Sequence, residues 1–434
     1  MKNNVTKVIQ KLDKITSFGG INFVHKEFEK SELKRLIDKE LGSRTMYGAG
    51  YQYGELFQTW TDLIMSGGEV AEDIQQHFRS TLTQIPNNKV ASADTLLRCL
   101  RDLSVENTVV TSTSDNNYNF NINEKLNVLN IKALLKLGLL QENTGYTLDY
   151  DNQILQHEKW DAKRTYKHTT GYFAGIASIG DHPVYIENRD GNANVKIDQH
   201  ETLKRLFVVL ALLNIQIDKF RADAGSYSKE IIDAVSESCN KFYIRANKCA
   251  SLELEIRNIT DWKSVEINHK KYEVASIKFN QFFGERNYRL VVMREPNPDK
   301  NAQPSLFTND NMVYRCILTN DWDMSEVEVI EFYNQRGGAE KVFDVMNNDF
   351  GWKRLPCSDM AYNTVYLIIT AIIKNFYTYF VNKVSPLFKN ILPSTRLKAF
   401  IFRFISVAGK WIKKGRQQFL VLYTYRPYHK LGII

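Results

Sequence analysis

The sequence lacks the features by which several classes of protein are recognised. It has five cysteines in 434 residues; no two have metal-finger spacing, and the odd count argues against a disulfide framework. The N-terminal segment MKNNVTKVIQKLDK contains no apolar core of the signal-peptide kind. The longest apolar run, residues 364–373, is far shorter than the ~20 residues of a membrane helix. We therefore expect a cytoplasmic protein with reduced thiols and no membrane partner.

Two further kinds of site are missing from the sequence. None of the eight histidines forms an i, i+4 pair that could bind a metal from one helical face. No glycine-rich phosphate loop of the Walker type occurs, so ATP is not expected as a partner. What the sequence does have is an excess of positive charge, with a net charge of +8, which suits a polyanionic partner without proving one.

The residue pattern divides the chain into five regions. Residues 1–140 show helical spacing and tight turns, which fit a DNA-binding helix-turn-helix module or a plain helical bundle equally well. Residues 141–247 predict the order β-β-β-α-β-α-β of a ribonuclease-H-like α/β core with a mixed sheet. Residues 248–322 alternate with period two and predict a β-rich insertion or a small separate domain. Residues 323–384 are expected to complete the core with two helices, the second a buried helix at residues 361–381. Residues 385–434 are expected to form a helical and basic C-terminal region, whose residues 403–430 also include a strand-like aromatic run.

Acidic residues lie at strand ends and on a helix, where a metal site could be built. Asp149 and Asp151 are two apart on the first predicted strand and face the same side. Asp223 ends the fourth strand, and Glu340 lies on a later helix. Carboxylates so arranged can hold two divalent metals for phosphodiester chemistry, and Mg²⁺ needs few protein ligands because it keeps its waters. The alternatives are a turn-capping role for Asp223 and a solvated charge for Glu340.

The helix that carries Glu340 is predicted to run from Ser325, an N-cap with Glu328 in a capping box, to about Asn348. One polar stripe follows helical spacing along it: Tyr333, Arg336, Glu340, Asp344 and Asn347. That stripe is either a solvated face or the wall of an active site. The pair Gly337-Gly338 costs about 1 kcal/mol per residue relative to alanine, which indicates either close approach of nucleic acid or a simple kink.

The motif Tyr333-x2-Arg336-x3-Glu340 resembles the signature Tyr-x2-Arg-x3-Glu-x6-Lys of bacterial insertion-sequence transposases of the DDE type. The resemblance implies that Tyr333 and Arg336 contact the DNA backbone near the cut. Asn347 occupies the place of the family's lysine, where it keeps a hydrogen-bond donor but loses the charge. From the residues alone, Arg336 could instead be an i, i+4 salt-bridge partner of Glu340.

Two strand motifs extend the resemblance. The segment Arg221-Ala-Asp223-Ala-Gly225 is similar to the family's second-acid motif. At the first acid the family reads Asp-x-Asp-Ser-Thr or Asp-Gly-Thr, whereas Asp149-Tyr-Asp151-Asn-Gln lacks the threonine. In both forms of the family's motif, the metal-binding aspartate directly precedes the last two residues, Ser-Thr or Gly-Thr. We therefore favour Asp151 as the first metal ligand and keep Asp149 as the alternate.

The resemblance implies a transposase that binds terminal inverted repeats, cleaves DNA and joins the freed end to target DNA. Asp151, Asp223 and Glu340 would hold two Mg²⁺ ions, for which Mn²⁺ can substitute. The expected assembly is a homodimer on double-stranded DNA in a bacterial cytoplasm, associated with the nucleoid when bound. Two alternatives stay open: a metal-dependent nuclease that cuts without joining, and a catalytically decayed DNA-binding relative of a transposase.

Two basic clusters are candidate DNA contacts, since each has a tryptophan beside its cations. A solvated charged face is the alternative for both. The first cluster lies within residues 158–168 and comprises Lys159, Lys163, Arg164 and Lys167. The second lies within residues 409–416 and comprises Lys410, Lys413, Lys414 and Arg416.

Overall fold

The structure is a computed structural model, and it describes residues 14–44, 50–247, 249–279, 286–298 and 311–432. The chain divides into two compact units. One is Leu100–Asn375, and the other joins Met1–Cys99 with Phe376–Ile434.

Thirteen α-helices occur among the described residues, with single turns of π- or 3-10 helix between some of them. In chain order they are α1 Ile21–Lys30, α2 Leu33–Leu41, α3 Tyr53–Met65, α4 Arg79–Leu82, α5 Ala93–Asp102, α6 Glu124–Lys136, α7 Gln199–Leu212, α8 Lys229–Ser238, α9 Ala250–Arg257, α10 Glu326–Asn334, α11 Gly337–Asp349, α12 Met360–Val384 and α13 Leu397–Phe400.

Fourteen strands are described, and all but the last two belong to one sheet. They are β1 Thr108–Thr111, β2 Asn117–Asn121, β3 Gly145–Gln156, β4 Lys163–Arg164, β5 Thr170–Ile179, β6 His182–Arg189, β7 Gln216–Ala222, β8 Lys241–Arg245, β9 Lys263–Ile267, β10 Lys270–Phe279, β11 Tyr288–Pro296, β12 Met312–Thr319, β13 Gly409–Lys414 and β14 Gln417–Leu422.

The centre of the large sheet has the order β6-β5-β3-β7-β8. Strands β5 and β6 run antiparallel to their neighbours, whereas β3, β7 and β8 are parallel. Helix α7 joins β6 to β7, and α8 joins β7 to β8. The predicted β-β-β-α-β-α-β order is therefore confirmed, and the core is a mixed-sheet α/β fold of the ribonuclease-H-like kind.

The β-rich insertion continues this sheet. Strand β12 pairs antiparallel with β8, and β11, β10 and β9 follow in order to the sheet edge. At the opposite edge, β1 and β2 form a hairpin that pairs with β6. The prediction of a mostly helical region up to residue 140 missed this hairpin, because its short polar sequence has no periodicity that separates it from a loop.

Alternation along β3 separates the apolar and the acidic side chains of the central strand. Leu148 and Tyr150 are buried in the main apolar cluster, with side chains from α6, α7 and α8. Asp149 and Asp151 point to the opposite face, where their partners lie next to α10 and α11. A second apolar cluster fixes α10 against the insertion strands through Val329, Ile330 and Tyr333.

The predicted continuous helix from Ser325 to about Asn348 is wrong. The structure has two helices, α10 and α11, separated by Gln335 and Arg336. The start is as predicted, since the Ser325 hydroxyl accepts a hydrogen bond from the Glu328 N–H and the Glu328 carboxylate accepts one from the Ser325 N–H. The break falls just before the glycine pair, where helix propensity is lowest.

The unit containing both termini has the helices α1–α4 and α13 and the hairpin β13–β14. Its aromatic side chains pack edge to face, for example Phe380 with Phe400 and Phe404. One described helix, α12, is long and apolar enough to cross a membrane by composition, but 89% of its most apolar window is buried inside the protein. This agrees with the predicted core helix at residues 361–381.

Candidate active site

Strand register places Asp151 beside Asp223. Tyr150 on β3 is paired with Ala222, the last residue of the parallel strand β7, and the residue that follows each of them is an aspartate. Burial raises the pKa of the Asp151 carboxyl above its usual range; the Arg336 guanidinium opposes this shift, and the negative charge of Asp223 adds to it. The two carboxylates thus repel each other across a short gap.

Asp151 is held by one arginine. The Arg336 Nη1 donates a hydrogen bond of 2.9 Å to Oδ2 of Asp151. The other oxygen, Oδ1, accepts a hydrogen bond from the Asn152 N–H at 2.8 Å. The side chains of Asp151 and Arg336 are 15% and 14% exposed, so the pair is reachable from solvent. Arg336 therefore supplies the positive charge that the two aspartates require.

Asp149 has a different partner and a closed environment. Arg221 on β7 grips both its oxygens, with Nε 2.7 Å from Oδ1 and Nη2 2.8 Å from Oδ2. The remaining Nη1 of Arg221 donates to the carbonyl oxygen of Phe332 in α10 at 2.7 Å. The two charged side chains are only 4% and 8% exposed. This bidentate pair ties β3, β7 and α10 together, and it uses both of the Asp149 oxygens.

Asp223 caps the turn that follows β7. Its Oδ1 accepts a hydrogen bond from the Gly225 N–H at 2.9 Å. A Cβ atom on Gly225 would lie 2.9 Å from that same oxygen and 3.0 Å from Val195, so the turn has no room for a larger residue. The Asn247 side chain also holds the turn, by donating to the carbonyl oxygen of Ala224 at 2.8 Å. The turn-capping role therefore coexists with a carboxylate that faces Asp151.

Glu340 lies apart from this pair in the structure. It is exposed in the first turn of α11, four residues or ~6 Å along the helix axis from Arg336. Across the described residues, no three His, Cys, Asp or Glu side chains come together closely enough to hold a metal ion. The structure thus brings together two of the three predicted acids.

The break between α10 and α11 also divides the predicted polar stripe. Tyr333 is 9% exposed and packs in the cluster beneath the insertion strands, whereas Arg336 turns towards Asp151. Asn347 is half-buried on α11, two turns after Glu340. A Cβ atom on Gly337 or Gly338 would meet nothing within 4 Å, so protein packing does not require either glycine.

The first basic cluster lies on the connection from β3 to β5. Lys163, Arg164 and Lys167 are exposed there, and Lys159 is half-buried. Beside them, Trp160 is 88% exposed and Tyr166 is 66% exposed. Since β3 ends five residues after Asp151, the end of the strand lies ~16 Å from that acid, and the cluster follows it. Exposed aromatic rings among exposed cations are typical of surfaces that bind nucleic acid.

The second basic cluster forms one end of the hairpin β13–β14. Lys414 pairs with Gln417, so that Gly415 and Arg416 make a two-residue turn in which Gly415 has φ of +62°. Lys413, Lys414 and Arg416 are exposed at this tip, and Lys410 is half-buried nearer the base. The predicted strand-like aromatic run is therefore confirmed as a basic hairpin.

Comparison with known families decides the class of the protein. The family model described as Transposase DDE domain group 1 matches residues 6–432, nearly the whole chain. The chain belongs to this family of DDE transposases. Membership assigns it to the enzymes of DNA transposition, which cleave DNA, and it confirms the predicted resemblance to DDE transposases.

Among solved structures, the DDE transposase chain is similar to one described as a cryo-EM structure of piggyBac transposase synaptic complex with hairpin DNA. The match has 12% sequence identity and a TM-score of 0.44, and it covers 90% of this chain and 80% of the other. No curated protein matches the sequence.

Within this DDE transposase, sequence reasoning missed the role of Arg221. The residue was visible as part of the Arg221-Ala-Asp223 motif, but nothing in the sequence indicated that it would grip Asp149. The alternation of side chains along the two strands was a partial signal for this contact, because Arg221 and Asp149 occupy paired positions on adjacent strands. The carboxylates whose chemistry suits a divalent metal are Asp151 and Asp223, since their mutual repulsion is relieved by a cation.

Proposed function

We propose that this protein is a transposase that binds the terminal inverted repeats of its element, cleaves phosphodiester bonds with two Mg²⁺ ions and transfers the cleaved strand to target DNA. The observation that carries the proposal is the pair formed by Asp151 within β3 and Asp223 at the end of the parallel strand β7, in a chain of the DDE transposase family. No covalent intermediate with the enzyme is required, so no nucleophilic side chain is invoked.

Asp151 and Asp223 would hold the metal, and Glu340 would complete the site. Two ions bound there would stabilise the attacking and the leaving oxygen of the scissile phosphate. For Asp151 to become a ligand, Arg336 must leave its carboxylate. The junction at Gly337-Gly338 supports such a movement, because a Cβ atom on either glycine would meet nothing within 4 Å and Glu340 lies in the same first turn of α11. Released from Asp151, the Arg336 guanidinium is suited to bidentate contact with a DNA phosphate.

The chain's own residues position the reacting strand. In the first step a water molecule attacks the scissile phosphate, which frees a 3′-hydroxyl. In the second step that hydroxyl attacks a phosphodiester of the target, and the target's own 3′-oxygen leaves. Tyr333, Arg336 and Asn347 would contact the backbone close to the cut. Such positioning and charge neutralisation contribute the rate enhancement in both steps.

The two basic clusters would bind DNA further from the reacting phosphate. The first, with Lys159, Lys163, Arg164 and Lys167, has exposed cations with the Trp160 and Tyr166 rings beside them. The second, with Lys410, Lys413, Lys414 and Arg416, presents its cations on a hairpin. The helical region of residues 1–140 would contribute recognition of the repeat sequence. We further propose a homodimer in the assembled complex, action on DNA in the bacterial cytoplasm, and no use of ATP.

The test uses the full-length protein and labelled duplexes that carry the inverted repeats flanking its coding region. Cleavage is followed on denaturing gels with Mg²⁺, with Mn²⁺ and with EDTA, and joining is followed by capture of the label on a supercoiled plasmid. We expect metal-dependent nicking at the repeat end, then joined product. A wild-type protein that binds these ends no better than random duplex would overturn the proposal.

The same assay separates the two alternatives. Cleavage without joined product, on target plasmid in excess, would identify a nuclease on the same core. End binding without cleavage in either metal would identify a decayed relative, for which Asn347 is the only departure visible in the helix motif.

A further inference from the structure

Two adjoining cavities lie on the insertion side of the acid pair, and Arg245 lines both. The smaller, of about 240 Å³, has Tyr333 and Asn334 from the end of α10 in its wall. The larger, of about 530 Å³, reaches Ala224, the residue directly after Asp223. A concave surface therefore runs from the turn that holds Asp223 to the buried ring of Tyr333.

Arg245 is an exposed cation at the point where these cavities meet. It is the last residue of β8, and no hydrogen bond or ion pair of its guanidinium occurs with any residue that the structure describes. Arg315 lines the same two cavities but is already ion-paired, since its Nη1 lies 2.7 Å from Oε1 of Glu295. Of the two arginines, Arg245 is the one whose positive charge is available to a ligand.

Tyr333 adds a second observation that points to a ligand. Its side chain is 9% exposed, and its hydroxyl oxygen makes no hydrogen bond of ordinary geometry within the described part of the chain. A buried hydroxyl without a hydrogen-bond partner is energetically unfavourable. The cavity wall thus contains a hydroxyl without a hydrogen bond of ordinary geometry near an exposed cation, the pair of groups that an oxyanion satisfies.

We infer that Arg245 and the Tyr333 hydroxyl form a subsite for a backbone phosphate of the DNA strand that enters the acid pair, a phosphate other than the one cleaved. This inference rests on the proposed function and assigns to it a positioning residue, Arg245, that lies outside the helix motif and the basic clusters. The anion belongs to DNA rather than to a free metabolite, because the cavity opens one residue from Asp223 and the ligand must extend to the reacting bond.

The first experiment measures binding of labelled duplex DNA against salt concentration. Loss of one phosphate contact should reduce the log–log salt slope by about 0.9 and weaken binding roughly tenfold in Arg245→Ala. Arg315→Ala, in the same cavity but ion-paired with Glu295, should change the slope much less. Arg257→Ala removes an exposed arginine of α9 that lines neither cavity, and it should match wild type. Equal slopes for Arg245→Ala and Arg257→Ala would overturn the inference.

The second experiment locates the phosphate. Repeat-end duplexes are prepared with a single uncharged methylphosphonate at successive positions around the cleaved bond. At one position the modification should weaken binding by wild type but not by Arg245→Ala, which already lacks the guanidinium that contacts this phosphate. In Tyr333→Phe, the modification should weaken binding less than it does in wild type. If every position costs both proteins equally, the subsite is absent even though the transposase binds DNA. If wild type shows no DNA binding at all, the proposed function itself fails.

Discussion

Two aspartates that lie two residues apart on β3 each pair with an arginine. The two pairs differ in burial, in hydrogen bonding and in the origin of the arginine. Asp149 and Arg221 form two short hydrogen bonds and are nearly inaccessible to solvent. Asp151 and Arg336 form one hydrogen bond and are more exposed. Arg221 comes from the middle of the sheet, whereas Arg336 comes from a break between two helices.

Under the proposed function, the two pairs on β3 would divide stability and catalysis between them. A buried bidentate pair is costly to disrupt, because removal of either partner leaves an uncompensated charge. A single, partly exposed contact can be exchanged for another cation at a much smaller cost. The proposed metal chemistry would require an acid whose counter-ion can be replaced, and the more exposed pair of Asp151 and Arg336 fits that requirement better than the buried pair.

The largest expected effect is the loss of DNA cleavage when either acid of the candidate site, Asp151 or Asp223, is changed. Asp151→Asn and Asp223→Asn should each reduce cleavage of a repeat-end duplex by roughly 10³-fold, because the charge that holds the metal is lost. Both variants should still bind DNA. Asp218→Asn, at the far end of β7, is the matched control and should cleave normally. Wild-type cleavage by either site variant would show that the acids are misassigned.

Replacement of Asp149 should reduce the stability of the fold strongly, because its side chain is buried. Asp149→Ala should lower the free energy of unfolding by about 3–5 kcal/mol, since Arg221 is left buried and unpaired. Urea denaturation followed by circular dichroism measures this loss. The double variant Asp149→Leu/Arg221→Leu should recover much of it. Asp151→Ala should cost far less; equal losses at the two positions would contradict the distinction between the pairs.

The pH dependence of stability should distinguish Asp151 from its amide variant. Burial raises the pKa of the Asp151 carboxyl in the folded state above the ordinary value of 3.8. As pH rises from there, the unfolded chain releases this proton before the folded one does, so wild type loses stability that it had at lower pH. Asp151→Asn has no such proton and should gain on wild type over that window. Urea midpoints at several pH values measure the difference, and a constant difference would contradict the shift.

The smallest expected effect concerns the junction that follows Arg336. Gly338→Ala fits the open space around α11 and should stabilise the protein by up to about 1 kcal/mol through helix propensity. If the junction must move to bring Glu340 to the acids, the same variant should slow single-turnover cleavage. The control is Ser80→Ala, at an exposed position on α4. Gly138→Ala cannot serve, because Gly138 has φ of +68°. Faster or unchanged cleavage would argue against the movement.

Local patterns were sufficient for much of the fold. The strand order of the core, the Ser325 capping box and the buried helix at residues 361–381 all follow from periodicity and capping chemistry, which depend on neighbours in sequence. Patterns failed where two signals competed. The spacing of the residues from Ser325 to Asn348 predicts one helix. The structure has two, because the glycine pair has low helix propensity and Arg336 is hydrogen-bonded to Asp151.

The sequence by itself determined the alternation that puts Asp149 and Asp151 on one face, the turn chemistry around Asp223, and the motif that indicated a DDE transposase. Each of these depends on residues within a few positions of one another. Only the tertiary structure decided which aspartate is enclosed by Arg221, that Arg336 lies on Asp151, and that Arg245 faces the cavities beside Asp223. Those choices depend on strand register and on contacts between residues far apart in the chain, which set burial and charge and which no local pattern encodes.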